Sequence, residues 1–355
     1  MPTPATLLTI DRSALAANWR FLAGQAAHGH CAAVVKADGY GLGAVEAASA
    51  FLAAGCTRFF VAHLAEAIIL RAGLTERFPN AKPSIGVLNG LLPGEQAEFL
   101  AHDLLPVLNT PQQIADWQPE HPAILQIDTG MSRVGLEATE FDALLPDLRR
   151  RNFGLLISHF ARADEPQEAL NRLQIDRFSA AMQQLPGVPG SLAASSGIFL
   201  GPDAHFDLLR PGYALYGGNP VPGKPNPMQR TVTLTTPIIQ VRDVEAGRPV
   251  GYGSRWHAPA PARIATIPYG YADGIPRVTA GATFWLNGKP APVVGRVSMD
   301  LITLDVTALP EAVPGAQIEI LGPNRDIDTA GADGGTLGYE ILTSIGRRAV
   351  RQYIG

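Results

Sequence analysis

A lysine set directly behind a short apolar run is the first residue whose placement suggests chemistry: Ala33-Val34-Val35 leads into Lys36 and the segment KADGYGLG. If that run is a strand of a parallel barrel, its end lies on the carboxyl-end rim, where barrel enzymes gather reactive groups. Partial burial there disfavours the ammonium form and lowers the pKa of the amine. A lowered pKa suits an amine that must bond to an aldehyde cofactor. The following Ala-Asp-Gly-Tyr-Gly predicts a tight turn that brings Tyr40 back toward the same place. By frequency alone a strand-end lysine is solvated, so its surroundings must decide.

Other groupings carry less. His28-Gly29-His30-Cys31 has the residue types of a metal tract, but no second ligand pair stands at suitable spacing and it leads into a strand. The glycines at 39–43 lack the third member of a dinucleotide fingerprint. Gly334-Gly335 lacks the Lys-Ser/Thr of a phosphate loop. No metal site is expected.

The elements that must position Lys36 show as an alternation. Apolar runs at 32–35, 58–62, 83–88, 104–108, 123–127, 154–158, 191–194 and 206–209 are each too short for a helix and bounded by polar, Gly or Pro residues. Helices are predicted at 44–54, at 64–72 with Gly73 as the stop, at 110–117 with a Thr cap and Pro first, and at 167–184. This repetition predicts an α/β fold, a (β/α)8 barrel, whose last repeat is weak because little helix follows Leu209. A Pro/Gly-rich linker at 217–229 precedes β-type runs at 231–241, 262–267, 282–286, 291–294, 301–306 and 317–321, with a helix at 338–345. Asn287-Gly288 marks a turn among them. The domains are set at 1–225 for the barrel and 226–355 for a C-terminal mostly-β domain. The opening strand at 6–10 is a candidate to join the β domain.

The 355 residues, 46% hydrophobic and 17% charged, suit a globular protein of about two domains. A net charge of −4 gives no reason to expect nucleic acid or an anionic membrane as partner. No apolar run approaches bilayer length, and no secretory signal is visible. Two cysteines, Cys31 and Cys56, do not make a disulfide framework. A cytoplasmic protein is expected.

VVKADGYGLG is similar to the cofactor-binding signature of bacterial alanine racemases, a family of fold-type III pyridoxal-phosphate enzymes. DTGMSRVG at 128–135, SHFA at 158–161, SSG at 195–197 and LRPGYALYG at 209–217 resemble further motifs of that family. GYGSRW at 251–256, PYGYADG at 268–274 and GRVSMD at 295–300 carry the resemblance into the second domain. The set keeps the family's order and spans nearly the whole chain.

The resemblance implies a barrel followed by a β-rich domain, pyridoxal 5'-phosphate held by Lys36 as a Schiff base, and a homodimer whose active site is shared between subunits. It also implies two bases. Racemisation removes a proton from one face of the α-carbon and returns one to the other, which a single fixed base cannot easily reach. By resemblance Lys36 handles the D-alanine proton and Tyr252, from the other subunit, the L-alanine proton. A tyrosine with its ordinary pKa of about 10 needs neighbouring positive charge for this, and His159 and Arg210 are the implied network.

The same resemblance sets Arg210 against the pyridine nitrogen. It sets Arg133 against the phenolic oxygen and the substrate carboxylate, which its flat fork suits. Tyr40, Ser196, Gly212 and Tyr353 are the implied phosphate contacts, Ser196 being preferred to Ser195 because it precedes Gly197. Tyr271 and Met299, with Asp300 beside them, are implied at the entrance and carboxylate side from the partner subunit. The chain departs from a common pattern at Gln126, where many members carry a lysine that becomes carbamylated and braces this arginine. Glutamine cannot carry a carbamate, so Arg133 needs another brace.

The implied activity is interconversion of L- and D-alanine, for peptidoglycan or D-alanine catabolism. Three alternatives compete. A broader racemase would also take serine or lysine. A decarboxylase of the same architecture is disfavoured by Lys36 and Tyr252 in matching contexts. A non-catalytic pyridoxal-phosphate carrier, usually a barrel alone, is disfavoured by the second domain.

Overall fold

The computed structural model describes residues 6–27 and 29–355; His28, of the dismissed metal tract, lies outside the described residues. The chain divides into two units: Leu15–Gln229, and the residues up to Ala14 together with Arg230–Gly355. β1 (Leu7–Asp11) runs into a helix over Arg12–Ala23 that the apolar pattern did not announce. Its signal was the cap: Asp11 Oδ1 accepts from Ala14 N at 3.0 Å.

In the Leu15–Gln229 unit, seven strands pair in parallel and in chain order. They are β2 (Ala33–Val34), β3 (Arg58–Val61), β4 (Ser84–Val87), β5 (Leu105–Leu108), β6 (Ala123–Gln126), β7 (Phe153–Ile157) and β8 (Gly190–Ser191). Their residues are mostly buried, so the strands read as continuous apolar runs rather than alternations. Val35, Phe59, Ile85, Val107, Leu125, Leu156 and Leu192 have at most 1% of their surface exposed. Full burial of such a side chain stabilises by about 1.5–3 kcal/mol.

The eighth strand position is filled without a regular strand. On one side Leu209 N donates to His30 O (3.0 Å) and Ala32 N to Leu209 O (2.8 Å); on the other Arg210 N donates to Ala193 O (2.9 Å). The segment therefore closes the ring between β8 and β2. Pro211 has no N–H for a ladder and Phe206 has φ 50°, which explains why extended pairing stops here. The Thr110 cap forms as expected, its side chain accepting from Gln113 N, with Pro111 at the first position. Gly73 is not a stop: the helix runs Leu64–Arg77 through it. A Cβ at Gly73 would stand 2.7 Å from both Val45 methyl groups, so this glycine lets the neighbouring helix Ala44–Ala53 approach closely.

In the other unit, nine strands form one sheet in the order β10-β13-β16-β15-β14-β17-β9-β1-β18. They are β9 (Val232–Pro237), β10 (Gln240–Val244), β13 (Ala262–Ile267), β14 (Thr283–Leu286), β15 (Lys289–Val294), β16 (Ile302–Asp305), β17 (Gln317–Leu321), β18 (Val350–Ile354) and β1. The apolar run expected at 231–241 thus divides into two strands. β11 (Pro249–Val250) and β12 (Trp256–His257) make a separate ribbon. β1 pairs antiparallel with β9 and parallel with β18, which places the opening strand inside this sheet. Asn287 and Gly288, both at positive φ, turn β14 into β15.

Candidate active site

Lys36 follows β2 and starts a turn of unusual hand. Ala37, Asp38, Gly39 and Tyr40 all have φ between 52° and 62°. L-residues pay about 1–2 kcal/mol each for this region, and such strain persists only where the surroundings over-determine it. Here Glu66 Oε1 accepts from Ala37 N at 2.6 Å, while its Oε2 accepts from Ala62 N (2.8 Å) and His63 N (3.1 Å). Asp38 Oδ1 accepts from Ala44 N at 2.8 Å. At Gly39 a Cβ would meet Ala44 N at 3.0 Å, so glycine is required for space as well as for φ. The turn buries Tyr40 with its ring centroid 4.6 Å from that of Tyr216, whose hydroxyl donates to Val34 O at 3.1 Å.

The Lys36 amine lies below the ordinary lysine value because it is desolvated; the nearby Arg133 adds to this and Glu66 opposes it. Arg133 belongs to a loop built by Asp128, whose carboxylate accepts from Gly130 N (2.7 Å), Met131 N (2.8 Å) and Ser132 N (2.6 Å). The loop returns to β6: Leu136 N donates to Gln126 O and Asp128 N to Leu136 O, both at 2.9 Å. Gln126, 6% exposed, donates its amide to Val134 O at 3.4 Å. It therefore braces the loop backbone beside Arg133 rather than the guanidinium.

Arg210 is buried. Its Nη1 donates to Ser191 O (2.6 Å) and to Ser191 Oγ, and its Nη2 to Ser158 O. Burial pulls the guanidinium down to about 9, which leaves it charged at neutral pH. His159, next to Ser158, is pushed down to about 3 by burial, with Arg210, Arg133 and Lys36 adding to the effect. Of the two groups expected to lend positive charge, Arg210 carries it and the imidazole is neutral.

A stability prediction follows. The folded-state pKa of His159 lies below the unfolded value of about 6.5, so falling pH protonates the unfolded chain first. Stability is lost as pH drops from about 6.5 toward 3, by roughly 2 kcal/mol at pH 5. Urea unfolding at pH 7 and pH 5 should show a loss smaller by that amount in His159→Asn. Equal losses in the two proteins would contradict a neutral, half-buried imidazole.

Ser195 is buried and its Oγ accepts from Gly212 N (3.1 Å) and Ala214 N (3.2 Å). The neighbouring Ser196 is half-buried. The N–H of Gly212 is thus engaged, and what this glycine supplies is room: a Cβ would lie 2.2 Å from Tyr40 Oη. Lys36, Tyr40, Arg133, His159, Ser196, Arg210 and Gly212 are therefore gathered on the carboxyl-end rim of one unit. Three cationic side chains converge there, Glu66 being the nearby opposing charge on Lys36. The set fits an anionic planar group that carries a phosphate and reacts with an amine.

Tyr252, Tyr271, Met299, Asp300 and Tyr353 lie in the other unit. Tyr252 is 69% exposed in the loop between β11 and β12, flanked by Gly251 and Gly253 at positive φ. Tyr271 and Met299 are also exposed, and their loops are joined by Tyr271 N to Ser298 O (3.1 Å) and Ala272 N to Met299 O (3.0 Å). Arg348 bridges Asp273 (2.6 Å) and Asp300 (2.7 Å) beside them. Tyr353 sits half-buried in β18. Glu66 was missed from the sequence, although its place three residues into a helix after His63 is a capping signature.

Residues 10–220 match the family described as "Alanine racemase, N-terminal domain" and residues 231–353 "Alanine racemase, C-terminal domain". The chain is 49% identical to a protein named alanine racemase from Acidiphilium cryptum, over 96% of each chain. It is 45% identical to a catabolic alanine racemase from Mesorhizobium japonicum, over 98% of this chain and 93% of that one. The crystal structure of alanine racemase from Bartonella henselae with covalently bound pyridoxal phosphate superimposes with a TM-score of 0.93 at 39% identity, covering 99% of this chain and 100% of that chain.

Proposed function

We propose, for a chain that belongs to the alanine racemase family, that Lys36 and Tyr252 are the two bases of its reaction. The chain is a pyridoxal-phosphate-dependent isomerase that interconverts L- and D-alanine. Bound pyridoxal phosphate supplies an electron sink that makes the α-proton of alanine removable. Lys36, desolvated and with its pKa lowered, binds the cofactor and moves the proton on the D-alanine face. Tyr252 moves the proton on the L-alanine face, and it comes from a second copy of the chain. Its exposure in a glycine-flanked loop, with Tyr271 and Met299 also exposed, supports a role completed by a partner.

Arg133 would bind the substrate carboxylate and the cofactor's phenolic oxygen. Arg210 would be set against the ring nitrogen, where a guanidinium does not give up its proton. Tyr40, seated in the space that Gly212 leaves for it, Ser196 and Tyr353 hold the phosphate, and His159 completes the cofactor pocket. Tyr271, Met299 and Asp300, like Tyr252, come from the second copy and shape the substrate entrance and carboxylate side. The observation that carries this reading is the convergence of Lys36, Arg133 and Arg210 on His159, with Lys36 opening a left-handed turn pinned by Glu66. We assign the enzyme to the cytoplasm, in D-alanine supply for peptidoglycan or in D-alanine catabolism. Among the described residues no helix is long and apolar enough to cross a membrane.

The test is to incubate the protein with L-alanine in heavy water and follow D-alanine carrying α-deuterium, with serine and lysine in parallel for breadth. Absence of exchange in every amino acid, despite bound cofactor, would sink the two-base assignment. A second result is expected at the phosphate end. Gly212→Ala forces Tyr40 Oη out of place, and the apoprotein should bind pyridoxal phosphate roughly tenfold more weakly. Unchanged affinity would remove Tyr40 and Gly212 from the phosphate site.

A further inference from the structure

The helix Ala169–Gln184 carries a polar residue with no exposed surface, Gln174. Its Nε2 donates to Thr129 Oγ1 at 3.0 Å and to His159 O at 2.9 Å, and its Oε1 accepts from Ala161 N at 2.9 Å. Thr129 Oγ1 shares a hydrogen bond with Ser158 Oγ at 2.8 Å, and Ser158 O accepts from Arg210 Nη2. One helical turn on, Arg177 Nη1 donates to Thr129 O at 3.0 Å. The loop presses onto the same helix at Gly130, where a Cβ would lie 3.2 Å from Leu170 Cδ1 and 3.6 Å from Gln174 Cγ. One buried amide thus ties the loop bearing Arg133 to the backbone of His159 and, through Thr129 and Ser158, to an acceptor of Arg210. A fully satisfied buried network of this kind rigidifies the groups it joins.

We propose that Gln174 is a positioning residue: it holds the Arg133 loop against the His159 and Arg210 segments and so sets the substrate-carboxylate site without touching substrate. The inference rests on the assignment of Arg133 to that carboxylate. Apolar filling alone does not account for the residue, because an apolar side chain of similar volume would leave Ala161 N, His159 O and Thr129 Oγ1 short of a partner.

The test uses holoenzyme carrying Gln174→Met or Thr129→Val, each alone and combined with Arg133→Ala. Thr129→Val cuts the link to the Arg133 loop while keeping the other bonds of Gln174, and it decides the matter if Gln174→Met does not fold. Either single variant should raise KM for L-alanine roughly tenfold with kcat nearly unchanged, the size expected for one lost hydrogen bond. Amide hydrogen exchange over 129–136 should quicken in both. In the Arg133→Ala background the further rise in KM should vanish. An unchanged KM in both single variants while Arg133→Ala is impaired, or a tenfold rise that persists without Arg133, overturns the inference alone. An unchanged KM in Arg133→Ala overturns the Arg133 assignment and this inference with it.

Discussion

Lys36→Ala is expected to lose racemisation by at least about 10⁴-fold and to come through gel filtration without the coloured cofactor. The amine is held below its ordinary value by burial and by Arg133, which favours the neutral form that attacks an aldehyde. Alanine removes both the attachment point and one of the two bases. Lys36→Arg should fare no better, because a guanidinium keeps its proton and neither attacks an aldehyde nor accepts a proton. Thermal unfolding should be little changed, since the turn is held by Glu66 and Asp38 through backbone N–H groups and not through the lysine side chain. Retention of a few per cent of activity together with the absorbance band would remove Lys36 from the chemistry.

Tyr252→Phe should reduce racemisation by roughly 10²–10⁴-fold, the usual contribution of a positioned acid or base. The loss should be lopsided. In heavy water D-alanine should still exchange its α-proton through Lys36, while exchange of L-alanine should fall with the overall rate. Equal loss on both enantiomers would contradict a face-specific role. Mixing Lys36→Ala with Tyr252→Phe adds a second reading. If each site takes its lysine from one chain and its tyrosine from the other, a mixed dimer rebuilds one intact site. Random reassortment of subunits then restores about a quarter of wild-type activity. No recovery would place both residues in one chain.

The barrel strands were legible because parallel strands covered on both faces give unbroken apolar runs, as β3 and β6 do. The eighth position was legible only as an apolar run, since Pro211 and the positive φ of Phe206 deny it a regular ladder. Gly73 misled because a glycine needed for close helix approach looks, in sequence, like a glycine that ends a helix. Lys36, Arg133 and Arg210 were visible through local motifs. The groups that hold them were not: Gln174 meets Thr129 across 45 positions, and Glu66 meets Ala37 across 29. No short window contains either pair. The neutrality of His159 was likewise invisible, because it arises from burial and from three cations contributed by distant segments.

The placement of β1 sets a timetable for synthesis. The strand leaves the ribosome well before its ladder partners β9 and β18, and Ile10 pairs with Tyr353. At about 5–20 residues per second it waits roughly 20–70 s before the last of those neighbours exists. During that interval Leu8 and Ile10, fully buried in the finished sheet, lack the strands that flank them there. A fragment beginning at residue 230 would lack an interior strand of its own sheet, leaving β9 and β18 with exposed edges that invite association. β1 and β18 are thus bound to one folding event, and a change in the earlier strand perturbs a sheet that closes only once the later one is made.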